Sequence, residues 1–207
     1  RQRQMCIRDS KYAEEDLDFY TNLINKYFVN PFTPFFRESL GFTPNGITWL
    51  SILFTILSLY CLWNKQFVLS FIFWQINYWF DCMDGYMARK YKLESDYGDS
   101  LDFISDGLGY FIGLLIVLFK HNALKKNHNI KWLILSFILM FIHVVHITCL
   151  EVKKEKLKPN LHKSKDKLKI LTKSLCKNTE WIKYTKYFGC GNGGTILIPL
   201  IAIMMSQ

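Results

Sequence analysis

DCMDGYMARKYKLESDYGDSLDFISD, residues Asp81 to Asp106, is the stretch on which the reading of this chain turns. It places four carboxylates (Asp81, Asp84, Asp102, Asp106), two glycines (Gly85, Gly98) and Arg89 at the inner ends of two apolar segments. Ionised side chains at the edge of a membrane span are costly to keep dry, so the cluster reads as a site. Asp81 and Asp84 are three apart, roughly 60° from eclipsed on a helix, and point to one side. Gly85 and Ala88 lie on or near that side, where small residues admit close approach to the backbone. Arg89 follows at the water edge, able to hold a phosphate or acid in bidentate fashion. Gly98, Asp102 and Asp106 recur every four residues and drift only about 40° per step, forming a second stripe. Converging carboxylates repel unless a divalent cation neutralises them, and hard oxygen ligands favour magnesium, manganese or calcium over zinc. The chemistry expected is therefore metal-held diphosphate chemistry at a lipid surface, with a spare carboxylate as general base.

Outward from that stretch, the 207 residues segregate into apolar runs and charged patches, the pattern of a membrane protein. Gly41 to Asn64 carries no charge; as a helix it reaches about 36 Å, enough to cross a bilayer. Thr43-Pro44-Asn45 supplies its helix start. A short turn around Asn64, Lys65 and Gln66 leads to a second run, Phe67 to Phe80, that ends in Asp81. A third span runs from about Asp99 through Phe119, and a fourth from Trp132 to Leu150. The formal net charge of +9 does not point to nucleic acid, because the lysines lie between apolar runs instead of alternating with aromatics. Ten lysines against three acids in Glu151 to Lys177 read instead as a cytoplasmic loop on anionic lipid. Counting back across the spans puts the Arg89 to Gly98 turn and the N-terminus on that same side.

Residues 11 to 40 read as an amphipathic helix flat on the membrane interface, with Pro31, Pro34 and the nearby phenylalanines redirecting the chain. Packing of that helix on the protein's own core is the weaker alternative. Gly189, Gly191, Gly193 and Gly194 read as a flexible hinge before the apolar run Thr195 to Met205, the start of a fifth span in a chain expected to be truncated at both ends. The six cysteines never come as C-x-x-C, and neither a disulfide framework nor a zinc site is expected. Trp74, Trp79 and Trp132 suit interfacial belts. His143 and His146 read as a polar pair satisfied within the bundle, with lining of the site as the alternative; Asp99 adjoins the metal stripe without an assigned role.

The arrangement Asp81-x-x-Asp84-Gly85-x-x-Ala88-Arg89, eight residues, then Gly98-x-x-x-Asp102-x-x-x-Asp106 resembles the full signature of the CDP-alcohol phosphatidyltransferase family. The resemblance covers the N-terminal helix and the four spans and thins out after residue 151; the family's usual six spans are not all present. It implies an all-α polytopic membrane protein, and the apolar and charged runs divide the chain into an N-terminal segment (1–40), a four-span catalytic core (41–151), a basic cytoplasmic loop (152–194) and the start of a fifth span (195–207). It further implies a phosphotransferase of phospholipid biosynthesis, in which a hydroxyl attacks the phosphorus of a CDP-linked donor and CMP leaves. By that resemblance Asp81, Asp84, Asp102 and Asp106 hold two Mg2+ or Mn2+ ions, Asp106 is also the base, and Gly85, Ala88, Arg89 and Gly98 bind the CDP moiety. CDP-diacylglycerol is the favoured donor; a CDP-choline or CDP-ethanolamine phosphotransferase is the alternative, and a non-catalytic transporter or partner protein the alternative of another class. The partners implied are the donor, an alcohol acceptor and membrane lipids, with no nucleic acid, and a homodimer is compatible. The expected place is the endoplasmic reticulum membrane in a eukaryote or the inner membrane in a bacterium, the active site facing the cytoplasm.

Overall fold

A computed structural model describes residues 13–121, 129–157, 175–176 and 178–206. The side chains of Asp96, Asp99, Asp102, Phe103, Asn129, Lys154, Glu155 and Leu157 are outside that description. All regular elements among the described residues are helical. Four long helices follow an N-terminal helical run: α1 (Pro44–Trp63), α2 (Phe67–Lys90), α3 (Asp96–Leu115) and α4 (Asn129–Leu157). A C-terminal run ends in α5 (Ile198–Ser206). Among the described residues three helical stretches are long and apolar enough to cross a membrane: Pro44–Trp63, Ile130–Lys153 and Thr179–Ser206. The second and third spans of the sequence reading correspond to α2 and α3, which have the length but carry the signature acids.

The caps explain the boundaries. Thr43 accepts a hydrogen bond from the Gly46 amide at 3.2 Å, and Pro44 fills the first helical position. Ser95 does the same for α3, accepting from the Gly98 amide at 3.1 Å. The two tight turns are closed by residues in the left-handed region, Lys65 (φ 60°) between α1 and α2 and Lys92 (φ 56°) between α2 and α3.

Helices α1 and α2 form an intimate hairpin held by a polar stripe. Thr48, Ser51 and Ser58 of α1 are all buried. They hydrogen-bond to Asp84, to Asn77 (2.5 Å) and to the Ser70 carbonyl (2.8 Å) of α2. In an apolar surround such bonds are specific because the alternative is an unpaired buried hydroxyl. Helix α3 lies on α1 through small residues four apart: a Cβ on Gly109 would stand 3.0 Å from Thr55 Cγ2, and one on Gly113 would stand 3.6 Å from Leu59 Cδ2. Trp74 of α2 meets Tyr110 of α3 edge-on, ring centroids 5.1 Å apart.

Several expectations change here. The N-terminal run is helical from Phe19 to Ser39 without turning at Pro31 or Pro34; wide turns at Asn25–Val29 and Phe35–Ser39 flank the prolines and absorb the lost amide donors. The chain turns instead at Gly41, whose φ of +72° suits glycine. One face of the run packs on the protein itself: Ile24 and Val29 are buried in a cluster with Tyr78 and Phe80. Phe28, Phe32 and Phe36, four apart, all pack edge-on against Trp79. Phe19, Tyr27 and Phe35 remain exposed on the other faces. The acids do not belong to the helix: Glu14–Asp16 form a separate turn, and Asp18 is the cap.

The basic segment expected from residue 151 begins as helix, since α4 continues to Leu157; residues 158–174 lie outside the described set. The glycines at 189–194 are not a loose hinge. Gly191, Gly193 and Gly194 are buried in a wide helical turn, Cys190–Leu197, that runs into α5. The apolar stretch extends back to Thr179, so it is longer than the eleven residues read from Thr195. Cys149 and Cys176 form a disulfide, against expectation. Spacing rules look for cysteines close in sequence, whereas these are 27 apart and are brought together where the chain folds back on the end of α4, beside Val145, Leu150 and Ile182. Trp74 is buried in the core and is no belt residue.

Candidate active site at the α2–α3 edge

Asp81, Asp84, Gly85, Ala88 and Arg89 occupy the last turns of α2, and Gly98, Asp102 and Asp106 the first half of α3. The five-residue turn between the helices keeps both sets at one end of the bundle. Asp84 is buried and turned toward α1, where the Thr48 hydroxyl donates to its Oδ2 at 2.6 Å. Asp81 is half-buried and Asp106 exposed. Both carboxylates, with Cys190, lie within electrostatic reach of the Tyr110 phenol. Tyr110 is four residues after Asp106 and continues the Gly98-Asp102-Asp106 stripe by one turn. Tyr110 thus senses an acid from each helix.

The small residues have definite neighbours. A Cβ on Gly85 would stand 3.0 Å from Arg89 Nη1, so the guanidinium folds back over the glycine one turn earlier. A Cβ on Gly98 would stand 2.9 Å from Asn45 Oδ1, so this glycine also seats α3 against the first turn of α1. The side chain of Asp102 lies outside the description, and among the described residues no three metal-binding side chains form a cluster. The described acids of the site, Asp81, Asp84 and Asp106, are all carboxylates, the hard donors that suit Mg2+ or Mn2+.

Residues to which the sequence reading gave no part in the site frame this edge. Thr48 orients Asp84, Asn45 receives Gly98, and Tyr110 joins α3 to Trp74 of α2. The signal for Thr48 was present: Thr48, Ser51, Thr55 and Ser58 recur at helical spacing in an otherwise apolar span. Of the two histidines, His146 is buried with Nδ1 3.0 Å from Thr185 Oγ1, a satisfied core group. His143 is buried with Nε2 3.7 Å from Cys190 Sγ. Cys82 touches the Tyr78 hydroxyl.

Substituting Thr48→Val preserves volume but removes the donor to a buried carboxylate, a loss of about 1–3 kcal/mol. The expected outcome is a lower unfolding temperature in detergent together with an activity reduced by about tenfold. Unchanged activity and stability would show that Asp84 is oriented by other groups.

The chain belongs to the CDP-alcohol phosphatidyltransferase family, whose model matches residues 42–183. Within that family it is 30% identical over 106 residues to a CDP-diacylglycerol–inositol 3-phosphatidyltransferase of Candida albicans (strain SC5314 / ATCC MYA-2876), a stretch that is 51% of this chain and 44% of the relative. The chain thus spans under half the length of the curated relative it matches. No solved structure matches.

Proposed function

We propose that this chain carries the catalytic core of an integral membrane enzyme that transfers phosphatidyl from CDP-diacylglycerol to an alcohol, with inositol as the first acceptor to test. The observation that carries the reading is that α2 and α3, joined by a five-residue turn, carry the signature acids on their facing halves within a stretch matching the family. The inositol acceptor rests on the activity for which the Candida relative is named.

In this reading Asp81, Asp84, Asp102 and Asp106 hold two divalent ions, Mg2+ or Mn2+. When bound, the ions supply positive charge against the diphosphate. Asp106 takes the proton of the acceptor hydroxyl as its oxygen bonds to phosphorus, and the bond from phosphorus to the CMP oxygen breaks with its electron pair leaving on CMP. Arg89 binds phosphate in bidentate fashion. Gly85, Ala88 and Gly98 let the cytidine and ribose approach the helices closely.

The acidic edge is assigned to the cytoplasmic face. Supporting this, Lys153 at the start of the basic segment pairs with Asp16 at 2.7 Å, and the Tyr91 hydroxyl of the α2–α3 turn donates to Glu38 at 2.7 Å. These contacts bring the N-terminal segment, that turn and the end of α4 to one side, as the charge pattern requires. The Cys149–Cys176 bond weighs against a reducing compartment, but less than ten lysines weigh for the cytoplasmic side.

The test offers membranes containing the protein each of CDP-diacylglycerol, CDP-choline and CDP-ethanolamine with inositol, serine, glycerol phosphate or diacylglycerol as acceptor. Metal-dependent CMP release with CDP-diacylglycerol and inositol, yielding phosphatidylinositol, is expected. Product only from CDP-choline or CDP-ethanolamine with diacylglycerol would reverse the donor assignment.

A further inference from the structure

Helices α2 and α3 carry the two acidic stripes, yet they touch one another mainly through Trp74 and Tyr110, deep to the acids. Something else must hold the stripes in register. Helix α1 packs on both, and among the described residues the glycine turn Cys190–Leu197 also reaches both.

On the α3 side, a Cβ on Gly194 would stand 2.8 Å from the Tyr110 hydroxyl and 3.3 Å from His143 Cε1. The bare glycine backbone is thus what the Tyr110 phenol rests against. On the α2 side the connection is polar. Gln75 donates to the Thr195 carbonyl at 3.0 Å and accepts from the Tyr20 hydroxyl at 2.7 Å.

Between these contacts lies Asp18, only 3% exposed. Its carboxylate accepts from the Thr21 amide (2.9 Å), the Thr21 hydroxyl (2.7 Å), the Gly191 amide (3.0 Å) and the Asn192 amide (3.2 Å). Asn192 answers by accepting from the Tyr20 amide at 3.2 Å, so the start of the N-terminal run and the glycine turn cap each other. Glycine is required for the approach: a Cβ on Gly191 would lie 2.5 Å from Asp18 Oδ1, and one on Gly189 would lie 2.7 Å from Asp18 Oδ2. The Thr21 hydroxyl in turn stands 2.7 Å from the Tyr78 hydroxyl, which also touches the Cys82 thiol. Tyr78 is three residues before Asp81, and Cys82 lies within electrostatic reach of Asp84 and Arg89.

A buried carboxylate costs several kcal/mol unless its lone pairs are filled, and a fully paired buried network fixes one arrangement of the elements it joins. We infer that Asp18, Thr21 and Tyr78, clamped onto the glycine turn, form a positioning device that sets the acidic end of α2 against Asp106 of α3. The device touches neither donor nor acceptor; it acts through the placement of Asp81 and Asp84. The inference rests on the metal-holding role proposed above for those acids.

The cleanest variants are Tyr78→Phe and Thr21→Val, which remove one hydroxyl each and keep the packing. The readouts are Mn2+ binding by the purified full chain, followed by electron paramagnetic resonance, and kcat and KM for CDP-diacylglycerol. Each variant is expected to weaken Mn2+ binding and lower kcat by about tenfold, as loss of outer-shell partners does. The double variant is expected to be no worse than either single, because both cut one connection. Gly194→Ala, acting at the α3 end, is expected to show the same signature. Folded variants whose Mn2+ affinity and kcat match the wild type, with only the unfolding temperature lowered, would overturn the inference, as would strictly additive losses in the double variant. Asp81→Ala in the same assay separates the two levels: if it abolishes Mn2+ binding while Tyr78→Phe leaves binding intact, the device fails and the site stands. If Asp81→Ala leaves Mn2+ binding intact, both are overturned.

Discussion

Asp106→Asn is expected to reduce transfer by about 10²- to 10⁴-fold, the contribution of a positioned general base, while the protein still inserts in membranes and binds CDP-diacylglycerol. The substitution is nearly isosteric and leaves one oxygen in place, but an amide cannot take a proton from the attacking hydroxyl. Asp106 suits this role because its side chain is exposed, and it lies within electrostatic reach of Tyr110 together with Asp81. Asp84, by contrast, is buried and already engaged by Thr48 at 2.6 Å. The measurement is phosphatidyl transfer per folded enzyme, with donor binding followed in parallel. Normal turnover in the variant would remove Asp106 from the role of base. Lost donor binding with lost turnover would instead make it chiefly a ligand of the ion.

The helices and their ends were legible because each is written locally. Thr43-Pro44 begins α1, the charge-free run from Gly41 to Asn64 measures it, and the fixed spacing from Asp81 to Asp106 sets four acids and two glycines on helical stripes. What escaped the reading is what depends on partners far along the chain. Asp18 falls within the segment read as an amphipathic interfacial helix, yet it is buried and bonded by amides 173 and 174 residues away. The glycines at 189–194 looked like slack for the same reason: nothing near them in sequence reveals that Asp18 and Tyr110 occupy the space their side chains would fill. Cys149 and Cys176 are joined across a fold-back that no spacing rule anticipates. The polar stripe of α1 could have been found, since Thr48, Ser51 and Ser58 break an apolar run at regular intervals; it was passed over because each residue taken alone is unremarkable in a helix.

Asp81→Ala is expected to abolish metal-dependent binding of the CDP-linked donor, a loss of about a hundredfold in affinity. The argument begins from charge: several carboxylates at one end of α2 and α3 repel one another, and Asp84 is buried while doing so. A divalent ion relieves that repulsion and presents positive charge to a diphosphate, so donor and metal should bind each other's complex more tightly than either binds alone. Removing Asp81 takes away one of the proposed ligands, while Asp84 keeps its bond to Thr48 and the α1–α2 hairpin stays intact. Stability should therefore fall little or even rise, since one like charge is gone, and only the coupling between metal and donor should disappear. Equilibrium binding of CDP-diacylglycerol in detergent, titrated with Mn2+ or Mg2+ and compared with chelator, measures that coupling directly. Wild-type affinity should climb with metal and the variant's should stay flat. Tight donor binding by wild-type protein in chelator, or an undiminished metal effect in the variant, would refute the placement of the ions at Asp81.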